Sequence, residues 1–170
     1  MTTRLYSRSD IVGRVLSAWR ARAVQPCVAG TLLDVACGDN RLVRRYGSGV
    51  GVDIVRYEQV DVVCRDLSRL PFSDGCFGTV AILAALNYFD DPDAVLREIR
   101  RILRPDGTLL VTFLNKNVSR LWHSIRERQI TPRPSFDRVE LMTCLRAANL
   151  RIVDERSFML GLNTIYFIKR

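Results

Sequence analysis

Apolar and polar residues alternate along this chain in two rhythms, one helical and one extended. Val12, Val15, Leu16 and Trp19 fall at helical spacing behind Ser9, a residue suited to capping, and predict a helix with these four on its apolar face. Residues 31–37 form a short apolar run that stops at Gly38 and reads as a buried strand. Leu42, Val43 and Tyr46 suggest a short helix after it. Residues 49–55 read as a second strand, 60–65 as a short third and 77–86 as a fourth. Asp91-Pro92 then opens a helix, a capping acid followed by proline at the first helical position. Its stripe is Val95, Ile99, Ile102 and Leu103, and Pro105-Asp106-Gly107 stops it. A fifth strand follows over 108–114. Asp137 with Glu140 makes a capping box for a helix reaching Ala148. Two strand-like runs, 151–159 and 163–168, surround Gly161 and read as a hairpin.

Strands alternating with helices predict an α/β fold, a mostly parallel sheet covered on both faces, with the hairpin adding an antiparallel strand. One step resists this pattern. Only a handful of residues join strands two and three, whereas parallel neighbours usually need a dozen or more. The third strand is therefore expected to be a short edge strand reached by a plain loop. No repeat, linker or low-complexity tract divides the chain, so residues 1–170 read as one domain.

Composition adds exclusions. A chain of 170 residues with 48% hydrophobic content suits one soluble core. The longest nearly pure apolar run, 80–86, is far short of the ~20 residues of a membrane helix. The first residues are polar, without the apolar core of a leader, so the expected location is cytoplasmic. Five cysteines, Cys27, Cys37, Cys64, Cys76 and Cys144, form no CxxC pair, so buried reduced thiols are expected rather than disulfides or a metal site. The net charge of +8 comes mostly from arginines spread along the chain. Arg97, Arg100, Arg101 and Arg104 on one helix read as a solvated basic face, so nucleic acid is not the favoured partner.

The candidate chemistry starts in LLDVACGDN, residues 32–40. Ligands of open α/β sheets bind at the carboxyl ends of the strands. A dinucleotide fingerprint would need glycines at 36, 38 and 41, but the chain has Ala36, Gly38 and Arg41. Asp39 would also lie where a pyrophosphate normally sits, competing for the same amides. A positively charged ligand without phosphate fits better, and S-adenosylmethionine is one. Asp34 can order its ammonium side. Asp53, ending strand two, can accept both ribose hydroxyls, and Asp66, ending strand three, the adenine amino group. Ile54 and Leu67 can sandwich the ring.

LLDVACGDN, then GVDI, then the DL of CRDLSRLPF, then FGTVAILAALNYFDDPDAVLREIRRILRPDGTLLVTF resemble the motifs of class I S-adenosylmethionine-dependent methyltransferases, in particular the branch called methyltransferase type 11. The tail ELMTCLRAANLRIVDERSF resembles that family's last helix and strand. The resemblance implies a Rossmann-like seven-stranded sheet in order 3-2-1-4-5-7-6, with strand 7 antiparallel. It implies a cofactor pocket lined by Asp34, Ala36, Cys37, Gly38, Asp53, Ile54, Asp66 and Leu67, with Leu83 and Ala84 near the methionine part, and S-adenosylhomocysteine as product. The chain departs from the pattern in places. Ala36 and Asn40 stand where the family often has glycine, and Gly78 where an aspartate is usual. The helices after strands two and three are missing, which weakens the expected rigidity of the adenine side.

Transfer from a sulfonium demands alignment and exclusion of water, with a base for an alcohol or phenol acceptor. His123 is the one histidine and the candidate base. Asn87, Tyr88, Asn115 and Trp122 are candidate acceptor contacts, with residues 115–135 as the substrate-side segment. Tyr6 belongs to a possible N-terminal helix and lid over residues 1–24. The leading expectation is methyl transfer to a small molecule. The alternatives are a methyltransferase acting on RNA, protein, or a glycan or lipid head group, and a non-catalytic accessory module.

Overall fold

The computed structural model describes residues 11–114 and 137–170. Seven strands form one sheet: β1 (Leu32–Val35), β2 (Val50–Asp53), β3 (Val62–Val63), β4 (Phe77–Leu83), β5 (Leu103–Leu114), β6 (Arg151–Phe158) and β7 (Asn163–Lys169). Their order is β3-β2-β1-β4-β5-β7-β6, as the resemblance implied. The first five run parallel, and β7 pairs antiparallel with both β5 and β6.

Alternation along the strands builds two cores. Leu33, Val35, Val80, Ile82, Leu109 and Val111 face one side. There they meet α3 (Pro92–Ile102) through Val95, Leu96, Ile99 and Ile102, and α4 (Arg138–Ala147) through Leu141 and Leu145. Leu32, Ala81, Leu110 and Ile165 face the other, with Ala21 and Val24 of α1 (Ile11–Val24) and Leu42 and Val43 of α2 (Arg41–Tyr46). Both expected caps form. The Asp91 carboxylate accepts from Ala94 N–H at the start of α3, and that of Asp137 from Val139 and Glu140 N–H at the start of α4.

Four expectations need correction. The apolar face predicted for α1 is not its buried face: Val15 is 46% and Trp19 56% exposed, while Gly13, Ala21 and Val24 are buried. Close packing against the neighbouring helix selects small residues there over large ones. β5 begins at Leu103, directly after α3 and before the Pro-Asp-Gly turn, because Leu103 pairs with Phe77 before the register shifts. The arginines of α3 are not all a solvated face, since Arg101 is tied into a side-chain network described below. The five cysteines form no disulfide, as expected, but only Cys144 is buried and the other four are half-buried. Among the described residues no helix is long and apolar enough to cross a membrane.

β3 is, as expected, a two-residue parallel edge strand reached by a plain loop. Gly78, which departs from the family pattern, is explained by a close approach. A Cβ there would lie 2.9 Å from the Ala29 carbonyl oxygen, and its N–H reaches both the backbone oxygen and Oγ1 of Thr31 at 3.0 Å. This seam sits at the start of β4, at the opposite end from the glycine turn. A Gly78→Ala variant should therefore lose about 1–3 kcal/mol of stability in urea denaturation through overpacking. A midpoint equal to wild type would show that the seam has slack.

Candidate cofactor-binding site

Parallel register assembles the site. Asp34 pairs with Gly51 and Ala81, and Val35 with Val52 and Ile82. The next residue of each strand therefore sets Ala36 between Asp53 and Leu83, at the carboxyl ends of β2, β1 and β4. These lie at the switch point, where β1 has β2 on one side and β4 on the other. Ala36 and Ala84 both hold left-handed backbone, with φ of 56° and 52°. Ala84 N–H donates to Oγ1 and to the backbone oxygen of Thr112 on β5, at 3.0 and 3.1 Å. Such backbone is costly for a residue with a Cβ and gathers at functional sites.

Gly38 N–H donates to Asp53 Oδ2 at 2.9 Å, and Val55 N–H to Asp53 Oδ1 at 3.0 Å. Both bonds favour the ionised form, but burial outweighs them and raises the pKa of Asp53. An ionised carboxylate has about four acceptor positions, so capacity remains for a ligand hydroxyl. Asp34 is only 2% exposed, and its Oδ1 has no hydrogen-bond partner. Burial, and secondarily the nearby Asp53 charge, push its pKa up to about 8. Burial first, then Asp34, Asp53 and Asp61, also raise the Cys37 thiol, which makes it a poor nucleophile. An orphaned acid oxygen inside a negative cluster suits a cationic ligand. Asp39 is paired with Arg41 at 2.7 Å, so its charge is not what repels phosphate. Asp53, whose backbone N–H bonds favour its ionised form, is the acid placed to do so.

Two side-chain networks fasten the loops that flank this cleft. In one, Asp61 Oδ2 accepts from Gly51 N–H at 2.7 Å and from Asn40 Nδ2 at 2.9 Å, while Asn40 Nδ2 also reaches the Gln59 oxygen at 2.8 Å. In the other, Glu98 on α3 accepts from Leu70 N–H at 2.7 Å. Arg101 bonds Glu98 at 2.7 Å, Asp74, and the Phe72 oxygen at 2.8 Å. The Arg101 bonds hold the Glu98 carboxyl below its ordinary pKa. The sequence reading missed Asn40, Asp61, Glu98 and Arg101 as site-supporting residues. A single glycine inside the β2 run, Gly51, was the available signal of a close approach.

The other expected residues are less uniformly placed. Asp66 is exposed, and its Oδ1 accepts from the Ser68 N–H and hydroxyl, bonds that lower its pKa. Leu67 is buried in the core, whereas Ile54 is 46% exposed, so the two are not seen as a closed sandwich. Leu83 and Ala84 are half-buried beside the switch point. Asn87 and Tyr88 lie half-buried in a 3-10 turn over Leu86–Tyr88 just beyond it. Tyr6, Asn115, Trp122 and His123 lie outside the described residues, as does the 115–135 segment.

Comparison with known proteins agrees with this geometry. A family described as "Methyltransferase domain" matches residues 33–111. A demethylmenaquinone methyltransferase of Mycolicibacterium vanbaalenii is 31% identical over 69% of the chain, which spans only 60% of that relative's length. A solved SAM-dependent methyltransferase from Aquifex aeolicus superposes with a TM-score of 0.70 at 16% identity, covering 97% of this chain and 100% of that one. Burkholderia thailandensis 1,6-didemethyltoxoflavin-N1-methyltransferase, solved with its acceptor and S-adenosylhomocysteine, gives 0.67 at 19% identity over 94% of this chain and 80% of its own. Residues 33–111 thus match a methyltransferase-domain family, and the sheet order is that of the class I S-adenosylmethionine-dependent methyltransferase fold.

Proposed function

We propose that this chain binds S-adenosylmethionine across the carboxyl ends of β1, β2 and β4 and transfers its methyl group to a small ring compound. The observation that carries the cofactor half is the Gly38–Asp53 bond beside the unpartnered, buried Asp34 oxygen. When bound, the cofactor supplies an electrophilic methyl group on sulfur, and in-line transfer needs little further chemistry from the protein. Asp53 offers its remaining acceptor capacity to the ribose diol. Asp34 faces the ammonium of the methionine part. Ala36 and Ala84 keep the floor of the cleft narrow and dry. The acceptor reading is supported by two similar proteins, one named for demethylmenaquinone, a quinone, and one for 1,6-didemethyltoxoflavin, so that both names carry a ring compound. Asn87 and Tyr88, just past β4, are the described residues best set to contact such a ring.

Calorimetric titration with S-adenosylhomocysteine tests the cofactor half. Wild type should bind, and Asp53→Ala should weaken binding roughly 10- to 100-fold through loss of charge-assisted bonds. Unchanged affinity would remove Asp53 from the ribose site. For the acceptor, incubation with labelled cofactor and quinone or fused-ring compounds should give a product 14 mass units heavier, the ~14 Da of an added CH2 as in each transferred methyl; transfer only to RNA or protein would overturn the small-molecule reading.

The pH dependence follows from Asp34. Its carboxyl is protonated in the ligand-free fold up to about pH 8, but only to about 3.8 in the unfolded chain. Between these values the native state binds the extra proton, so stability falls as pH rises, by at most about 1.4 kcal/mol per unit. Asp34→Asn should flatten that slope in denaturation series from pH 5 to 8. Pairing with an ammonium favours the ionised acid, so ligand binding at pH 7 should release a proton. Binding heats that are identical in buffers of different ionisation enthalpy would contradict this role.

A further inference from the structure

The fold lacks a helix between β2 and β3, and residues 54–61 cross directly from the ribose acid to the edge strand. We propose that Asn40 and Asp61 are positioning residues for the adenosine half of the cofactor, holding this loop against the glycine turn so that Asp53 and Ile54 keep fixed places. The proposal rests on the cofactor reading above.

The geometry is closed at both ends of the loop. At its start, Asp53 binds Gly38 N–H of the turn and Val55 N–H of the loop. At its end, Asp61 binds Gly51 N–H of β2 and the Asn40 amide of the same turn. Asn40 also donates to Gln59 within the loop. One side chain from the turn thus holds two points of the loop's far end, and both acceptors require the amide nitrogen there. The Asn40 oxygen then has to point the other way. It has no hydrogen-bond partner and lies over Gly51, where a Cβ would come within 2.1 Å of it. Gly51 is the residue type that leaves room for this amide. Asn40 is 2% exposed and holds left-handed backbone at φ 56°, which asparagine tolerates better than most residues with a Cβ. Glycine tolerates it too, so the family's common residue at this position would fit the turn but could not tie the loop.

Without the tie, Val55 N–H and Ile54 hang from an unsupported loop. Asp53 then loses a fixed partner, and the ribose and adenine lose their wall. The effect should fall on the adenosine half of the ligand and spare contacts to the amino-acid half.

Titration of S-adenosylhomocysteine and of 5′-methylthioadenosine, which retains the adenosine half, tests this in wild type, Asn40→Gly and Asp61→Asn. Melting is measured alongside. Each single variant should bind both ligands about tenfold more weakly. Single variants that melt lower but bind both ligands like wild type would reduce the tie to a purely structural one and overturn the proposal. If Asp61→Asn does not fold, Asn40→Gly decides, since it adds no backbone strain. Wild type that binds neither ligand would overturn the cofactor reading itself, whereas binding unaffected by the variants overturns only this assignment.

Discussion

Two carboxylates buried behind one glycine turn are the constraint around which this structure is arranged. Asp34 and Asp53 are 2% and 3% exposed at the ends of adjacent strands. Ionised carboxylates out of water are costly unless hydrogen-bonded or paired. The fold answers each differently. Asp53 receives two backbone N–H groups, from Gly38 and Val55. Asp34 receives none at Oδ1 and takes up a proton instead, with a pKa near 8. The Asp53 charge adds to the burial that raises Asp34, so the state of one acid bears on the other. A ligand that brings a cation and a diol satisfies both members at once, and so the same feature that weakens the empty fold selects the cofactor.

That arrangement needs stiff surroundings on its adenosine side, where the chain has removed the helices that would usually connect parallel strands. Side chains stand in for them. Asn40 and Asp61 hold the β2–β3 loop, and Glu98 with Arg101 holds the β3–β4 loop to α3. A helix fixes a crossover through many weak contacts, whereas these networks use a few charged or amide groups that are each bonded more than once. Stiffness is thereby concentrated in few residues, and single substitutions should be felt more sharply here than in a helical crossover.

Much of this was legible in the sequence. Apolar runs ended by glycine or by Asp-Pro gave the strands and α3, because local pattern and local turn chemistry decide those elements. The glycine turn and the acids at 34 and 53 could be read because strand ends place them without knowledge of packing. What could not be read depends on contacts distant in the chain. Trp19 and Val15 look like a core stripe, yet the helix buries its small residues because it packs closely against a neighbour. Arg101 looks like one more surface charge until the loop carbonyls of 70 and 72 arrive beside it. Asp61 looks like a strand-edge acid until β2 pairs with β3. Periodicity reports which face is apolar, but it does not report which partner will cover that face.

The left-handed alanines connect the acid pair to the chemistry. Ala36 and Ala84 end neighbouring strands at the switch point, each in backbone that glycine would enter without cost. Glycine would relieve strain there but would leave the floor of the cleft freer to move. Alanine accepts a cost of order 1 kcal/mol each and restricts the turn more tightly. Methyl transfer from a sulfonium depends on holding donor and acceptor in line, and a misplacement of about 1 Å can cost a hundredfold in rate. In the proposed site, the left-handed turns at Ala36 and Ala84 and the tied β2–β3 loop would serve that one requirement together.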